Sequence, residues 1–139
     1  LQEFSRCVKP KTFDYFFSIV NQYILNKDLL SYPRALCINY HASFLPSYAG
    51  MNGTSHALMN GEKEYGITWH VMEEKSDSGD ILNQIKFKID EDETAYSLIL
   101  KCSSNAVIGF SQLIGSIQKN DFPMEYQAFK EPLSSLYNL

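Results

Sequence analysis

Short apolar runs separated by polar breaks dominate the first part of the chain. Residues 13–20 (Phe-Asp-Tyr-Phe-Phe-Ser-Ile-Val) and 35–41 (Ala-Leu-Cys-Ile-Asn-Tyr-His) are rich in aromatic and β-branched residues and are short, so each predicts a buried strand. Between them, Asn26 is a candidate cap for a short helix over residues 27–30, and Pro33 stops that helix. Strand, helix and strand with continuous apolar runs indicate a parallel sheet covered on both faces.

The middle of the chain predicts a helix followed by a hairpin. The helix covers about residues 54–60 and ends at Gly61, and a strand follows over residues 66–73. A turn-forming cluster at residues 76–80 precedes a second strand over residues 81–89. Alternation predicts the core-facing positions of the two strands, which are Ile67, Trp69 and Val71, and then Ile81, Asn83, Ile85, Phe87 and Ile89.

One long helix is predicted over residues 94–118. Apolar residues recur at helical spacing and predict a buried stripe of Ile99, Ala106, Phe110, Leu113 and Ile117. Gly109 and Gly115 are each expected to weaken the helix by about 1 kcal/mol relative to Ala. Clear periodicity is lost after Asp121, which predicts an extended tail.

Composition is typical of one globular domain and argues against several classes of partner. The 139 residues are 45% hydrophobic and 20% charged, which excludes a disordered chain. A net charge of −4 offers no basic stripe for a nucleic-acid backbone. No apolar run approaches the ~20 residues of a membrane-spanning helix. Three cysteines without metal-ligand spacing, Cys7, Cys37 and Cys102, predict buried thiols in a reducing compartment, the cytoplasm.

The two ends of the chain suggest how it is organised. We expect one domain over residues 1–139, with its core over residues 13–118 and a tail over residues 119–139. The chain begins at Leu1 without a Met, and residues 1–7 look like the end of an amphipathic helix. We therefore expect it to be a fragment of a longer protein.

Asn39 and His41 form the first candidate for chemistry. Residues two apart on a strand project from the same face, and this pair lies at the carboxyl end of a predicted strand, where open α/β sheets bind ligands. Asn-x-His is short and common, however. On this pair alone, the more ordinary interpretation is that Asn39 satisfies loop backbone and His41 is a bystander.

A longer set of ordered motifs identifies a resemblance. Residues 39–50 read Asn-Tyr-His-Ala-Ser-Phe-Leu-Pro-Ser-Tyr-Ala-Gly and resemble the Asn-x-His-Pro-Ser-Leu-Leu-Pro signature of the folate-dependent formyltransferases. Residues 58–62 resemble that family's helix end, residues 64–72 its Gly-Val-Thr-x-His strand, and residues 76–82 its Asp-x-Gly-Asp-Ile-Leu turn. Residues 17–25 stand where the family's folate-lining strand and loop lie. The likeness covers roughly residues 13–118.

The resemblance implies a fold and a set of site residues. The fold would be a three-layer α/β sandwich with a mostly parallel twisted sheet, Rossmann-like, lacking its first strands here. The formyl donor would be 10-formyltetrahydrofolate, and no metal would be needed. Carried over by position, the catalytic residues are Asn39, His41 and Asp77. The expected cofactor-binding residues are Ile19, Ile24 and Leu25 as an apolar wall for the pterin, with His70 and Asp80.

The residue types suit formyl transfer. When an amine attacks the formyl carbon, the carbonyl oxygen becomes an oxyanion, which Asn39 and a protonated His41 could stabilise with hydrogen bonds. Asp77, if close to His41, would favour the protonated imidazole and could accept the amine's proton. Taken singly, Asp77 in a Ser/Gly/Asp turn would be a turn former, and His70 could equally line the site or only pack and hydrogen-bond.

Departures from the family pattern leave the acceptor open. Ala42 replaces the usual Pro, Ala49 stands where many relatives have Arg, and residues 51–55 differ from the common acceptor-side sequence. These features look most like formyltransferase domains joined to adenylation and carrier modules, which would be partners in the same polypeptide. The acceptor could be a small amine, an amino sugar or a carrier-bound amino acid. Two alternatives are a 10-formyltetrahydrofolate hydrolase and a catalytically idle folate-binding or interaction module.

Overall fold

The computed structural model describes residues 6–21, 23–119 and 121. The predicted tail beyond residue 121 and the start of the predicted N-terminal helix lie outside these residues. The elements, in chain order, are β1 (Tyr15–Ser18), α1 (Lys27–Leu30), β2 (Leu36–His41), α2 (Gly53–Met59), β3 (Glu64–Val71), β4 (Ile81–Lys88) and α3 (Ala95–Lys119).

The strands form one mixed sheet in the order β1-β2-β3-β4. The predicted α/β class is confirmed. Strands β1 and β2 pair in parallel across the α1 crossover, as expected, whereas β2–β3 and β3–β4 are antiparallel. The sheet of the described residues is therefore mixed rather than mostly parallel. The predicted hairpin joins β3 to β4, and a hairpin connection makes these two strands antiparallel. Strand β3 also runs antiparallel to β2 on its other side.

Local chemistry explains where the short helices begin and end. The Asn26 side chain accepts a hydrogen bond from the Leu29 backbone N–H at 3.0 Å, so the predicted cap of α1 is confirmed. Helix α2 ends at Met59 with Asn60 as its C-cap, and Gly61 follows with φ of 68°, a left-handed conformation that glycine adopts without strain.

Helix α3 packs on the sheet with the predicted face except at its first position, and Leu113 is buried as predicted. Its buried residues are Leu98, Cys102, Gly109 and Leu113. The predicted Ile99 is wrong, because its side chain is 49% exposed. Ala106, Phe110 and Ile117 lie partly buried at the flank of the true stripe. The apolar pattern allows the buried stripe to begin at either Leu98 or Ile99, and the packing of the helix on β3 and β4 buries Leu98.

Strand β3 is buried on both faces, unlike the half-buried strand that alternation predicts. Ile67 and Trp69 lie in the core as expected, yet Thr68 and His70 are 0% and 2% exposed. The Thr68 hydroxyl donates to the Ser43 carbonyl at 2.7 Å and accepts from the Leu45 backbone N–H at 3.0 Å. The loop after β2 thus covers the second face of β3, and His70 faces the same side.

Two further expectations need correction. Leu82 is 3% exposed although it was expected on the polar face of β4, because a register shift at Trp69 and His70 changes the alternation there. Cys37 and Cys102 are buried free thiols as predicted, whereas Cys7 is exposed.

Among the described residues, α3 is the one helix long and apolar enough to cross a membrane by length and composition. The criterion averages hydropathy over a window of the helix, so serines and glycines can interrupt the apolar residues and the helix still meets it. The core helix of a soluble protein meets the same criterion, and α3 buries one face on the sheet.

Candidate active site

A cavity of about 480 Å³ opens at the carboxyl ends of β1 and β2. This volume is in the range of small-molecule sites. Its lining combines apolar and polar groups, with residues Ser18, Val20, Asn21, Tyr23, Ile24, Leu25, Asn39, Tyr40, His41, Gly50, Met51, His70, Met72, Glu73, Glu74, Ser76 and Asp77. The cavity therefore lies at the sheet edge where α/β folds bind ligands.

Asn39 and His70 face each other across the β2–β3 ladder. They are directly paired in register, and Asn39 Nδ2 lies 3.2 Å from His70 Nε2. His70 Nδ1 lies 2.8 Å from the Val71 carbonyl oxygen, which can only accept, so Nδ1 carries a proton. Burial is the largest effect on His70 and lowers its pKa, while nearby Asp77 acts in the opposite direction.

His41 has an oxygen acceptor beside each ring nitrogen. Nε2 lies 3.1 Å from the Tyr48 carbonyl oxygen, so Nε2 carries a proton and donates it to that bond. Nδ1 lies 3.4 Å from Asp77 Oδ1. The imidazole of His41 therefore lies between the Tyr48 carbonyl and the Asp77 carboxylate.

The Asp77 carboxylate lies between the two imidazoles. Its Oδ1 is 3.7 Å from His70 Nε2, and its Oδ2 accepts the Gly50 backbone N–H at 2.9 Å. The Asp77 side chain is 9% exposed and its φ is 55°, an uncommon conformation for a residue other than glycine. The backbone at Asp77 is therefore held in a strained left-handed conformation, in which the carboxylate faces the histidines rather than water.

Close backbone packing holds the turn against β3. A Cβ at Gly79 would lie 2.0 Å from the Val71 carbonyl oxygen, so glycine is required there. The Val71 backbone N–H donates to the Asp80 carbonyl oxygen at 2.8 Å. These two contacts place the turn that carries Asp77 directly beside the strand that carries His70.

The structure brings together most of the predicted site residues. Asn39, His41, Asp77 and His70 surround one end of the cavity, and Ile24 and Leu25 line its apolar side. Ile19 and Asp80 do not line it. Ile19 lines an adjoining small cavity that shares Ser18, Asn21 and Leu25 with the first. The Asp80 carbonyl holds the turn to β3. The binding roles of Ile19 and Asp80 stay predictions.

Several residues of the site were not predicted individually, although Ser18 lies within the predicted folate-lining segment 17–25. Ser18 pairs with Asn39 in the parallel ladder, so strand register places its hydroxyl at the site. The Tyr48 carbonyl and the Gly50 N–H take part through the backbone, which residue type does not reveal. The only available signal for them was their position inside the loop after the Asn-x-His pair. Glu73 and Glu74 precede the turn and add negative charge at the rim.

The buried cysteines are not nucleophiles. Burial raises the pKa of Cys37 to about 11 and that of Cys102 to about 12, so both are neutral thiols at pH 7. The charged and polar groups at the cavity are instead suited to moving protons and to stabilising an oxyanion.

Comparison with known proteins places this arrangement in a family. A family model described as formyl transferase matches residues 1–114. The chain is 40% identical over 113 residues to the methionyl-tRNA formyltransferase of Thermodesulfovibrio yellowstonii, which covers 80% of this chain and 36% of that protein. It is 37% identical over 107 residues to the bifunctional polymyxin resistance protein ArnA of Wigglesworthia glossinidia brevipalpis, covering 77% of this chain and 16% of that protein.

A solved structure agrees with the sequence matches. The fold is similar to the crystal structure of an N-formyltransferase from Helicobacter canadensis in complex with folinic acid and dTDP-3-aminofucose, with a TM-score of 0.75 and 26% identity. That match covers 86% of this chain and 45% of the solved chain. The chain thus spans less than half the length of these relatives. The match of the family model to most of the sequence confirms the predicted resemblance: the chain belongs to the formyl transferase family.

Proposed function

We propose that this chain carries the catalytic groups that transfer a formyl group from 10-formyltetrahydrofolate to a primary amine. The observation that carries the proposal is the convergence of Asn39, His41 and Asp77 at one end of a single cavity. The chain spans only part of its relatives, so the proposal concerns the complete protein to which these residues contribute.

The cavity suits a folate donor. Leu25, Ile24 and Met72 form an apolar wall against which a flat pterin could lie. Ser18 lines the cavity, the residue is 4% exposed, and its buried hydroxyl has no hydrogen-bond partner among the described residues. An unsatisfied buried hydroxyl next to an apolar wall is a group that a polar ring such as a pterin could satisfy.

In the proposed reaction, the amine nitrogen attacks the formyl carbon and the carbonyl electrons move onto oxygen. Asn39 donates a hydrogen bond to this oxyanion, and His41 donates one from Nε2–H by exchanging the Tyr48 carbonyl for the oxyanion. Asp77 accepts the proton that the amine loses and passes it to N10 of the folate, directly or through water. The oxyanion then re-forms the carbonyl, and the bond between the formyl carbon and N10 of the folate breaks. N10 takes up the proton passed on by Asp77, which leaves tetrahydrofolate and an N-formyl product.

For the acceptor, we propose a primary amine that the site attracts in its protonated form and that gives up one proton to solvent before it attacks as the neutral amine. Apart from the two histidines, the ionisable side chains of Asp and Glu that line the described cavity are Glu73, Glu74 and Asp77. Such a rim attracts a protonated amine and repels phosphate groups. An amino sugar and a carrier-bound amino acid both carry such an amine. The association with adenylation or carrier domains stays a prediction.

The test compares variants of the complete protein with 10-formyltetrahydrofolate and a panel of primary amines. His41→Ala is expected to reduce formyl transfer by at least 10²–10³-fold, because an oxyanion donor is lost. Thermal shift with a folate analogue should be nearly unchanged. His56→Ala in α2 is the matched control, since His56 does not line the cavity, and should keep normal activity.

Three outcomes separate the alternatives. Transfer at the normal rate by His41→Ala would contradict the proposed catalytic role. Formate release in the absence of any amine would establish hydrolysis instead. A folate analogue that binds to a wild-type protein without transferase or hydrolase activity would indicate an idle binding module.

A further inference from the structure

The hydrogen-bond partners of His70, on strand β3, indicate which of its ring nitrogens carries a proton. Its side chain is 3% exposed and is held at both ring nitrogens. Nδ1–H donates to the Val71 carbonyl oxygen at 2.8 Å, and the Asn39 amide nitrogen lies 3.2 Å from Nε2. Because Nδ2 of an amide is only a donor, Nε2 must be the acceptor. Both contacts thus fit one neutral tautomer.

We propose that His70 is a positioning residue that decides which end of the Asn39 amide faces the cavity. An unprotonated Nε2 accepts a hydrogen bond from Nδ2 of Asn39 but not from its Oδ1. One N–H of Asn39 is then bound to His70, and the second stays available for the formyl oxygen. This inference rests on the proposed function, in which Asn39 donates to the oxyanion.

The orientation matters because an asparagine amide has two opposite ends. Turned by 180°, Asn39 would present its carbonyl oxygen where negative charge develops, and a stabilising contact would become a repulsive one. Solvent does not enforce the choice, since Asn39 lies partly buried between β1 and β3. Its register partner His70 is the group in position to enforce it.

The competing arrangement is a protonated His70 paired with Asp77. Two charged or titratable groups face His70, which are Asp77 from the turn and His41 from β2. Asp77 Oδ1 lies 3.7 Å from Nε2, farther than the Asn39 amide nitrogen at 3.2 Å. Burial also favours the neutral ring. Distance and desolvation therefore both favour the bond to Asn39.

The experiment uses the complete protein with His70→Leu and His70→Gln. Gln places an amide oxygen near the position of Nε2 and can still accept from Asn39, whereas Leu cannot. We expect His70→Leu to lower kcat by roughly 10- to 100-fold, less than the ~10²–10³-fold cost of deleting an oxyanion donor. The KM for the folate should change little, and His70→Gln should restore most of kcat.

A double-mutant cycle tests whether the effect passes through Asn39. In the Asn39→Ala background, His70→Leu should cost no further activity. Full additivity would overturn the inference in favour of a general structural role. An effect that instead disappears in the Asp77→Asn background, with an altered acid limb of the pH–rate profile, would assign His70 to an ion pair with Asp77.

A measurement without turnover separates this inference from the proposed function. Imidazole ¹⁵N NMR should show His70 as the Nδ1–H tautomer across neutral pH, and a protonated ring would overturn the inference. If the wild-type protein transfers no formyl group, the proposed function fails even where this signal is as expected. If it is active and His70→Leu keeps full kcat, only the positioning role fails.

Discussion

Ser18 shows how one residue can be costly for the fold and useful for binding. The residue is 4% exposed at the boundary of the cavity, and its buried hydroxyl has no hydrogen-bond partner in the described part of the chain. Leaving a buried hydroxyl unsatisfied costs about 1–3 kcal/mol. A folate that hydrogen-bonds to Ser18 would recover part of this energy. The residue is therefore expected to stabilise the complex rather than the free protein.

Ser18→Ala should separate these two effects. We expect the free energy of unfolding without ligand to stay equal or rise by up to about 1 kcal/mol, because an unsatisfied group is removed. Affinity for a folate analogue should fall about tenfold, the equivalent of one hydrogen bond. Urea denaturation and calorimetry measure the two quantities, and Ser103→Ala on the exposed face of α3 is the control. Unchanged affinity would show that Ser18 does not bind the folate.

At the scale of elements, the contact between α3 and the sheet depends on a glycine that the sequence analysis treated as a defect. A Cβ at Gly109 would lie 2.8 Å from Asn83 Oδ1 and 3.1 Å from Trp69 Nε1. The missing side chain therefore lets the helix approach β3 and β4 closely. Gly115, six residues farther along the same helix, has open space at its Cβ position.

The two glycines predict substitutions of opposite sign. Gly115→Ala should stabilise the protein by about 0.5–1 kcal/mol through higher helix propensity. Gly109→Ala gains the same propensity but must displace the Asn83 side chain and crowd the Trp69 indole, with a net loss of roughly 1–3 kcal/mol. Thermal and urea unfolding of both variants measure this. A stabilised Gly109→Ala would contradict the close packing of α3 against Trp69.

For the whole molecule, the buried histidine links stability to pH. Burial lowers the pKa of His70 in the folded protein below that of the unfolded chain. Between these two pKa values the unfolded chain binds more protons, so protonation favours unfolding. The stability contributed by a neutral His70 is therefore complete above the unfolded pKa of about 6.5 and is lost as pH falls toward the folded value.

The prediction is a loss of stability between pH 7 and about pH 5.5 that depends on His70. Wild-type protein should show a decreasing free energy of unfolding over this interval, and His70→Gln should show a smaller decrease. His56→Gln, a substitution of a partly exposed histidine, serves as the matched control and should retain the wild-type slope. Equal slopes for wild type and His70→Gln would mean that His70 is not held neutral in the folded state.

The family motifs allowed much of the site to be predicted, although its geometry was not. The signature around Asn39 and His41 and the turn with Asp77 identified three side chains that the structure places around one cavity. Ile19 and Asp80 were expected there too and do not line it. Position in a motif indicates which loop approaches a ligand, but the direction of each side chain depends on the strand twist and on the turn's backbone angles.

Local features follow from the amino-acid sequence alone: the Asn26 cap, the strands around residues 15–18 and 36–41, and the shared face of Asn39 and His41. Each depends on backbone preferences and side-chain spacing within a few residues. Three features depend on tertiary contacts. They are the antiparallel direction of β3, the burial of Leu98 instead of Ile99, and the register that places Ser18, Asn39 and His70 side by side. Each of them is set by contacts between segments far apart in the sequence, and those contacts form only when the whole core packs.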